Sequence, residues 1–249
     1  MHLLYRFIYN KKLRGVYLFL TKCKNLLFLK PVFLIDNRFF GIYNFIKHAY
    51  SIENNILPNK GITLSADDFL EKTNICYSAD KILTTKIKNK PILVVGLSHD
   101  RIIEFVLLFS YLKREDIFLV GVKTFQLLGK NTSKYILPVL NKKYSNDSKT
   151  IMKKTGIDDL YLLENMSKKQ IGIMNKKSLQ MAADKINKGN AVIIFPTGVN
   201  HEKDPWRPGI IEILTKLNCN AYVLPVGFRG PNREEIFEKM FNSYKNRKK

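Results

Sequence analysis

Cysteine is scarce: Cys23, Cys76 and Cys219 are the only three in 249 residues. Three scattered thiols exclude a disulfide framework and a cysteine-rich zinc site. They fit a reducing compartment, each as a small buried apolar residue. Nine prolines and 13 glycines are too few for collagen-like or proline-rich architecture. Long apolar runs are missing as well. The longest stretch without a charged residue, Gly189 to His201, contains Pro196 and Gly198 and falls short of the ~18–20 apolar residues a spanning helix needs. The N-terminus lacks the basic, apolar, small-residue order of a secretory signal. Together these absences lead us to expect an intracellular protein; with the basic, aromatic N-terminal region, the expected place is the cytoplasmic face of a membrane, as a peripheral protein.

Acid is also in deficit, with 21 Asp+Glu against 42 Lys+Arg and a net charge of +21. Such a surplus gathers anions around the molecule: nucleic acid, an anionic membrane surface or phosphorylated small molecules. Residues 1–50 hold nine Lys/Arg and the single acid Asp36, together with 12 of the 29 aromatic residues. Leu3, Leu4, Phe7 and Ile8 share one helical face. Basic and aromatic residues interleaved on short helices suit the headgroup boundary of a bilayer. No RNP-like aromatic strand or zinc-knuckle spacing speaks for nucleic acid.

Length permits one large domain or two small ones. Residues 51–62, with Asn54-Asn55, Pro58 and Gly61, read as a connection. Ser65 and Asp68 read as the capping signal of a short helix over 66–72. From residue 91 the pattern alternates. Strands are expected at 91–96, 117–122, 171–174, 191–195 and 221–226, and helices at 102–112, 178–186 and 209–217. Gly189 is placed to end the helix before it. Residues 123–170 give little signal. The expected fold class is α/β, with a mostly parallel central sheet flanked by helices. It comprises a basic, aromatic-rich N-terminal helical region (1–62), an α/β domain (63–230) and a basic C-terminal tail (231–249) ending in a surface helix that frays.

Of four histidines, His99 stands out because it follows the apolar strand 91–96 directly. Catalytic groups in open α/β sheets gather at the carboxyl ends of strands. Glu104 lies five residues on. Within one regular helix that spacing leaves two side chains roughly 140° apart. They meet only if His99 precedes the helix and Glu104 sits in its first turns. A carboxylate there would orient the imidazole for general-base work near neutral pH. A second turn, Phe195-Pro196-Thr197-Gly198, ends another strand and leads to Arg207; its backbone N–H groups and Arg207 suit an anion.

Taken in order, Ser98-His99-x4-Glu104, Lys123, Asn175-Lys176, Lys188-Gly189, Phe195-Pro196-Thr197-Gly198, Arg207-x-Gly209 and Val223-Leu224-Pro225-Val226 resemble the lysophospholipid (glycerolipid) acyltransferase family, which includes the 1-acylglycerol-3-phosphate acyltransferases. The resemblance spans about residues 85–230. It implies His99 as general base, Glu104 as its partner, and a phosphate site at the Phe195–Gly198 turn. It further implies acyl-CoA or acyl carrier protein as donor and a lysophospholipid as acceptor, with no other cofactor. Ser98 replaces the family's Asn, Glu104 its Asp, Thr197 its Glu, and Val199-Asn200 its Thr-Arg. The family's arginine helps hold the acceptor phosphate, and Lys123, Lys176 or Arg207 would have to supply that charge here. The departures also leave open a lipid-binding protein that keeps the fold without turnover.

Other motifs carry less. Thr124-x4-Gly129-Lys130-Asn131 lacks the first Gly and the final Ser/Thr of a P-loop. Ser98 sits in no Gly-x-Ser-x-Gly elbow and reads as a helix cap. There is no His-Glu-x-x-His and no paired Cys to ligate a metal. His201 reads as an exposed loop residue, Trp206 as packing its loop onto the domain, and His2 and His48 have no readable role.

Overall fold

A computed structural model describes residues 44–45, 47–79, 87, 89–96, 103–123, 129–140, 166–197, 206–231 and 233–245. Of the basic, aromatic region expected over residues 1–62, residues 1–43 lie outside them. The fold class is α/β, as expected. Five parallel strands, β1 (Ile92–Gly96), β2 (Ile117–Val122), β3 (Ile136–Val139), β4 (Ala191–Ile194) and β5 (Tyr222–Val226), form one sheet in the order β3-β2-β4-β1-β5. Helices α1 (Leu57–Thr73), α2 (Ile103–Leu112), α3 (Lys168–Asn187), α4 (Gly209–Leu214) and α5 (Arg233–Lys245) surround it.

Both sheet faces are covered, so the central strands are apolar at every position and wholly buried. Ile92, Val94, Leu119 and Ile193 point toward α1 and α2. Leu93, Val95, Val192 and Ile194 point toward α3 and α4. Proline occurs in this sheet at Pro138 of β3 and Pro225 of β5, the two marginal strands. That is where a residue without an N–H is tolerated.

Three stretches differ from the sequence-based expectation. Residues 51–62 are wound rather than open: a π-turn over Ile52–Ile56 feeds α1, with Pro58 in its first turn, where a missing N–H costs nothing. The polar composition that suggested a connection is the helix's solvent side. Gly61, at φ 82°, breaks α1 near the expected 62/63 boundary. The restart is capped from afar, Ile62 and Thr63 donating their backbone N–H groups to the Glu115 carboxylate at 2.7 and 3.2 Å. Ser65 is therefore no cap; its hydroxyl donates to the Gly61 carbonyl one turn back.

The strand expected at 171–174 is helical, lying inside α3. A capping box between Ser167 and Gln170 starts that helix ten residues before the expected Ser178. Ile171, Ser178, Leu179, Ala182 and Ile186 recur with helical period on its buried face, whereas Ile173 and Met174 are exposed. Gly189 ends α3 as expected, its N–H donating to Ile186 and that of Asn190 to Lys185.

The segment after Pro231 forms a helix, but a docked one. Ile236, Met240 and Tyr244 of α5 are buried beside Leu70 of α1. His48 ties this junction, donating from Nε2 to Asp68 Oδ2 at 2.6 Å and bonding through Nδ1 to the Tyr244 hydroxyl. Strand β3, unread in the sequence, is four residues long with proline third. Of the cysteines described, Cys76 is exposed and Cys219 half-buried, so neither is the fully buried residue expected.

Candidate functional site

The sheet brings the ends of two strands that are far apart in the chain side by side. Strands β1 and β4 are neighbours, with Val95 level with Ile194. From β1 the chain passes through α2, on one face, to β2; from β4 it passes through α4, on the other face, to β5. The two connections leave in opposite directions. Where neighbouring strands send their connections to opposite faces, a crevice opens outside the carboxyl ends, and ligands of open α/β sheets bind there. The segments singled out in the sequence leave from these two strand ends.

Close packing holds the edge of the crevice. A Cβ on Gly96, the last residue of β1, would lie 2.1 Å from the Phe195 ring. Glycine is what lets that ring cross the strand end. Phe195 packs in turn against Phe228, beyond β5, with ring centroids 6.4 Å apart. The last residue of β1 and the residues just past β4 and β5 are thus locked together. Pro196 and Thr197 are buried beside them, and the Arg207 backbone N–H donates to the Pro196 carbonyl at 3.1 Å. This bond ties the approach to α4 to the end of β4.

Glu104 occupies the first turn of α2 and is 2 % exposed. It is the only charged residue in a helix otherwise built from Ile, Phe, Val, Leu, Ser and Tyr. Burial of a carboxylate is expensive, so packing alone does not account for it. Its place in the first turn matches the sequence expectation. His99, Ser98, Gly198, Val199, Asn200 and His201 lie outside the described residues. In the chain His99 is three residues beyond Gly96 and four before Ile103.

Lys123 directly follows β2, the neighbour of β4 on the side away from β1, and is half-buried. It therefore shares the carboxyl edge with Phe195–Thr197. Lys176 stands apart from them on the outer surface of α3. The preceding Asn175 fixes its height: its amide accepts from the Leu140 N–H at 2.7 Å and donates to the Leu140 carbonyl at 3.0 Å, just past β3. Across from it on α4, Glu212 is held below the usual carboxylate range, chiefly by its hydrogen bond from Lys216 and to a smaller degree by Lys176. Trp206, expected to pack its loop down, is half-exposed.

Sequence reasoning overlooked two parts of this arrangement. Gly96 was readable as a strand-ending glycine, but its partner ring was not. Phe228 gave no signal beyond following Pro225-Val226-Gly227. Among the described residues no group of three His, Cys, Asp or Glu could hold a metal ion, and no helix is long and apolar enough to cross a membrane. In comparisons with known proteins the chain matches no family model, no curated protein and no solved structure.

Proposed function

We propose that this protein is an acyltransferase that moves a fatty acyl group from a thioester donor, acyl-CoA or acyl carrier protein, to a hydroxyl of a lysophospholipid or related glycerolipid. The observation that carries the reading is the buried Glu104 at the sheet's switch point, five residues after an imidazole in the chain. In this scheme His99 takes the proton of the acceptor hydroxyl while its oxygen attacks the thioester carbonyl. The tetrahedral intermediate collapses, the C–S bond breaks, and the leaving thiolate takes the proton from the imidazolium. Glu104 orients the imidazole and stabilises its charged form. Backbone N–H groups of the turn after β4 face the developing oxyanion or the acceptor phosphate. Lys123 and Arg207 supply positive charge at the same edge, and the +21 balance draws in an acidic donor. The enzyme would work as a peripheral protein on an anionic membrane surface, in phospholipid biosynthesis or remodelling.

Thiol release from acyl-CoA in the presence of lysophosphatidic acid tests the scheme. His99→Ala should abolish release while the circular dichroism spectrum stays unchanged. Near-normal turnover by that variant would sink it. A second reading rests on Thr197, a buried neutral residue at the position where the resembled family carries Glu: a lipid-binding protein of the same fold without turnover. Saturable lysophospholipid binding with no thiol release by the unaltered protein would favour it.

A further inference from the structure

Among the described residues, one surface combines a run of lysines with bare apolar side chains. The first ten residues of α3, Lys168 to Lys177, contain four lysines and no acid. Lys169 lies four residues before Ile173, and Lys176 and Lys177 lie three and four after it, so the four form one stripe. It lies opposite the buried Ile171, Ser178 and Leu179. All four of its members are exposed, Ile173 to 59 %. Met174 beside it is exposed as well. An isoleucine so bare amid lysines is poor design for a face meant for water alone.

The stripe sits at the carboxyl end of the sheet. Asn175 is bonded to Leu140 just past β3, whereas the far end of α3 is bonded through Asn187 to Asn218, ahead of β5. Helix α4 adjoins it. A Cβ on Gly209 would lie 3.5 Å from the Leu179 methyls, and Gly209 follows Trp206 and Arg207 by three and two residues. Ile173 is six residues before Leu179, or about 9 Å further along the helix toward the same end. Trp206 is 50 % exposed and Arg207 is exposed beside it. Bare apolar side chains, one of them tryptophan, are therefore set among cations on α3 and on the segment that leads into α4.

We infer that the N-terminal half of α3, together with Trp206 and Arg207, is a docking face for an anionic lipid bilayer. The lysines would meet lipid phosphates while Ile173 and the indole enter the boundary between headgroups and chains. Charge and exposed apolar area point to the same occupant, since a purely phosphate-driven contact has no use for a bare isoleucine. Such seating turns the carboxyl edge of the sheet, and with it the crevice, toward the membrane. It rests on the proposed membrane-bound acyltransferase only for that consequence, because docking requires no turnover.

Trp206 is the chain's one tryptophan, so its fluorescence reports on this face alone. The full-length protein is mixed with phosphatidylcholine vesicles, with mixed phosphatidylcholine–phosphatidylglycerol vesicles, and with a single-stranded oligonucleotide. The expected result is a blue-shifted emission, quenched by brominated lipid, with the phosphatidylglycerol vesicles only. Lys169→Glu with Lys177→Glu should weaken vesicle affinity roughly tenfold or more. Ile173→Asp should reduce the bromolipid quenching. Co-sedimentation with vesicles but no change in Trp206 emission would place the membrane contact elsewhere and overturn the inference. So would an emission change with the oligonucleotide but not with vesicles, or no binding at all. His99→Ala should give the unaltered fluorescence response, so loss of the catalytic reading and loss of the docking face are told apart.

Discussion

The aromatic ring of Phe195 occupies the space that a side chain on Gly96 would need, a Cβ there falling 2.1 Å from the ring. Two strands distant in sequence and adjacent in the sheet thus settle each other's ends. Gly96→Ala should destabilise the protein by about 1–3 kcal/mol, the usual cost of overpacking a core. It should also displace the turn after β4 and so lower acyl transfer. Adding Phe195→Leu should recover part of both losses, giving a coupling above roughly 0.5 kcal/mol in a double-mutant cycle read by urea denaturation. Purely additive effects would contradict the contact.

Glu104→Gln keeps shape and removes charge. If Glu104 supports an imidazolium, acyl transfer should fall by roughly 100-fold or more, with little change in thermal midpoint. The acid limb of the pH–rate profile should move to lower pH, since without the carboxylate the imidazolium is harder to form. A packing role for Glu104 would leave that limb in place.

Glu53 is a second buried carboxylate, with a structural task. It accepts hydrogen bonds from the Asn131 N–H, the Thr132 N–H and the Thr132 hydroxyl, capping the short helix Thr132–Tyr135 that leads into β3. Glu53→Ala should cost about 2 kcal/mol by stranding three half-buried donors, measured by chemical denaturation. Glu53→Gln, which retains an acceptor oxygen, should cost less.

At the opposite end of the sheet Arg114 is buried and binds the Lys90 and Gly189 carbonyls and the Asp116 carboxylate. Its hydrogen bond holds Asp116 below the usual carboxylate range. A group so lowered adds stability that is complete above its unfolded value, about 3.9, and is lost as pH falls through the folded one. Thermal midpoints taken over acid pH should therefore fall less steeply in Arg114→Leu than in the unaltered protein. The variant itself should lose about 2–3 kcal/mol at neutral pH through the stranded carbonyls.

The strands that the sequence declares are those whose apolar runs carry no competing signal. Ile92–Gly96, Ile117–Val122 and Ala191–Ile194 are buried on both faces, and a continuous run of branched residues suffices to mark them. Ile171–Met174 misleads because four residues cannot reveal a period, and the helical one emerges only with Leu179, Ala182 and Ile186. Residues 51–62 mislead in the other direction. Their Asn, Pro and Gly suit a loop, and what winds them is contact with partners far along the chain: Glu53 with Asn131, Ile62 with Glu115. At the candidate site, the placement of Glu104 and the turn after β4 follow from local pattern. The Gly96–Phe195–Phe228 packing depends on strand order, which no local pattern encodes.

The prolines on the outermost strands carry a consequence for assembly. Tyr222 donates its N–H to Pro91, so the alternate residue Pro225 turns its nitrogen outward, where it offers no hydrogen to an incoming chain. On the other margin, the Pro138 carbonyl is already taken by the Ser178 hydroxyl. A sixth strand would find neither border ready to receive it. At the two margins of the described sheet, edge-to-edge pairing of copies is therefore disfavoured, by a missing donor on β5 and an occupied carbonyl on β3.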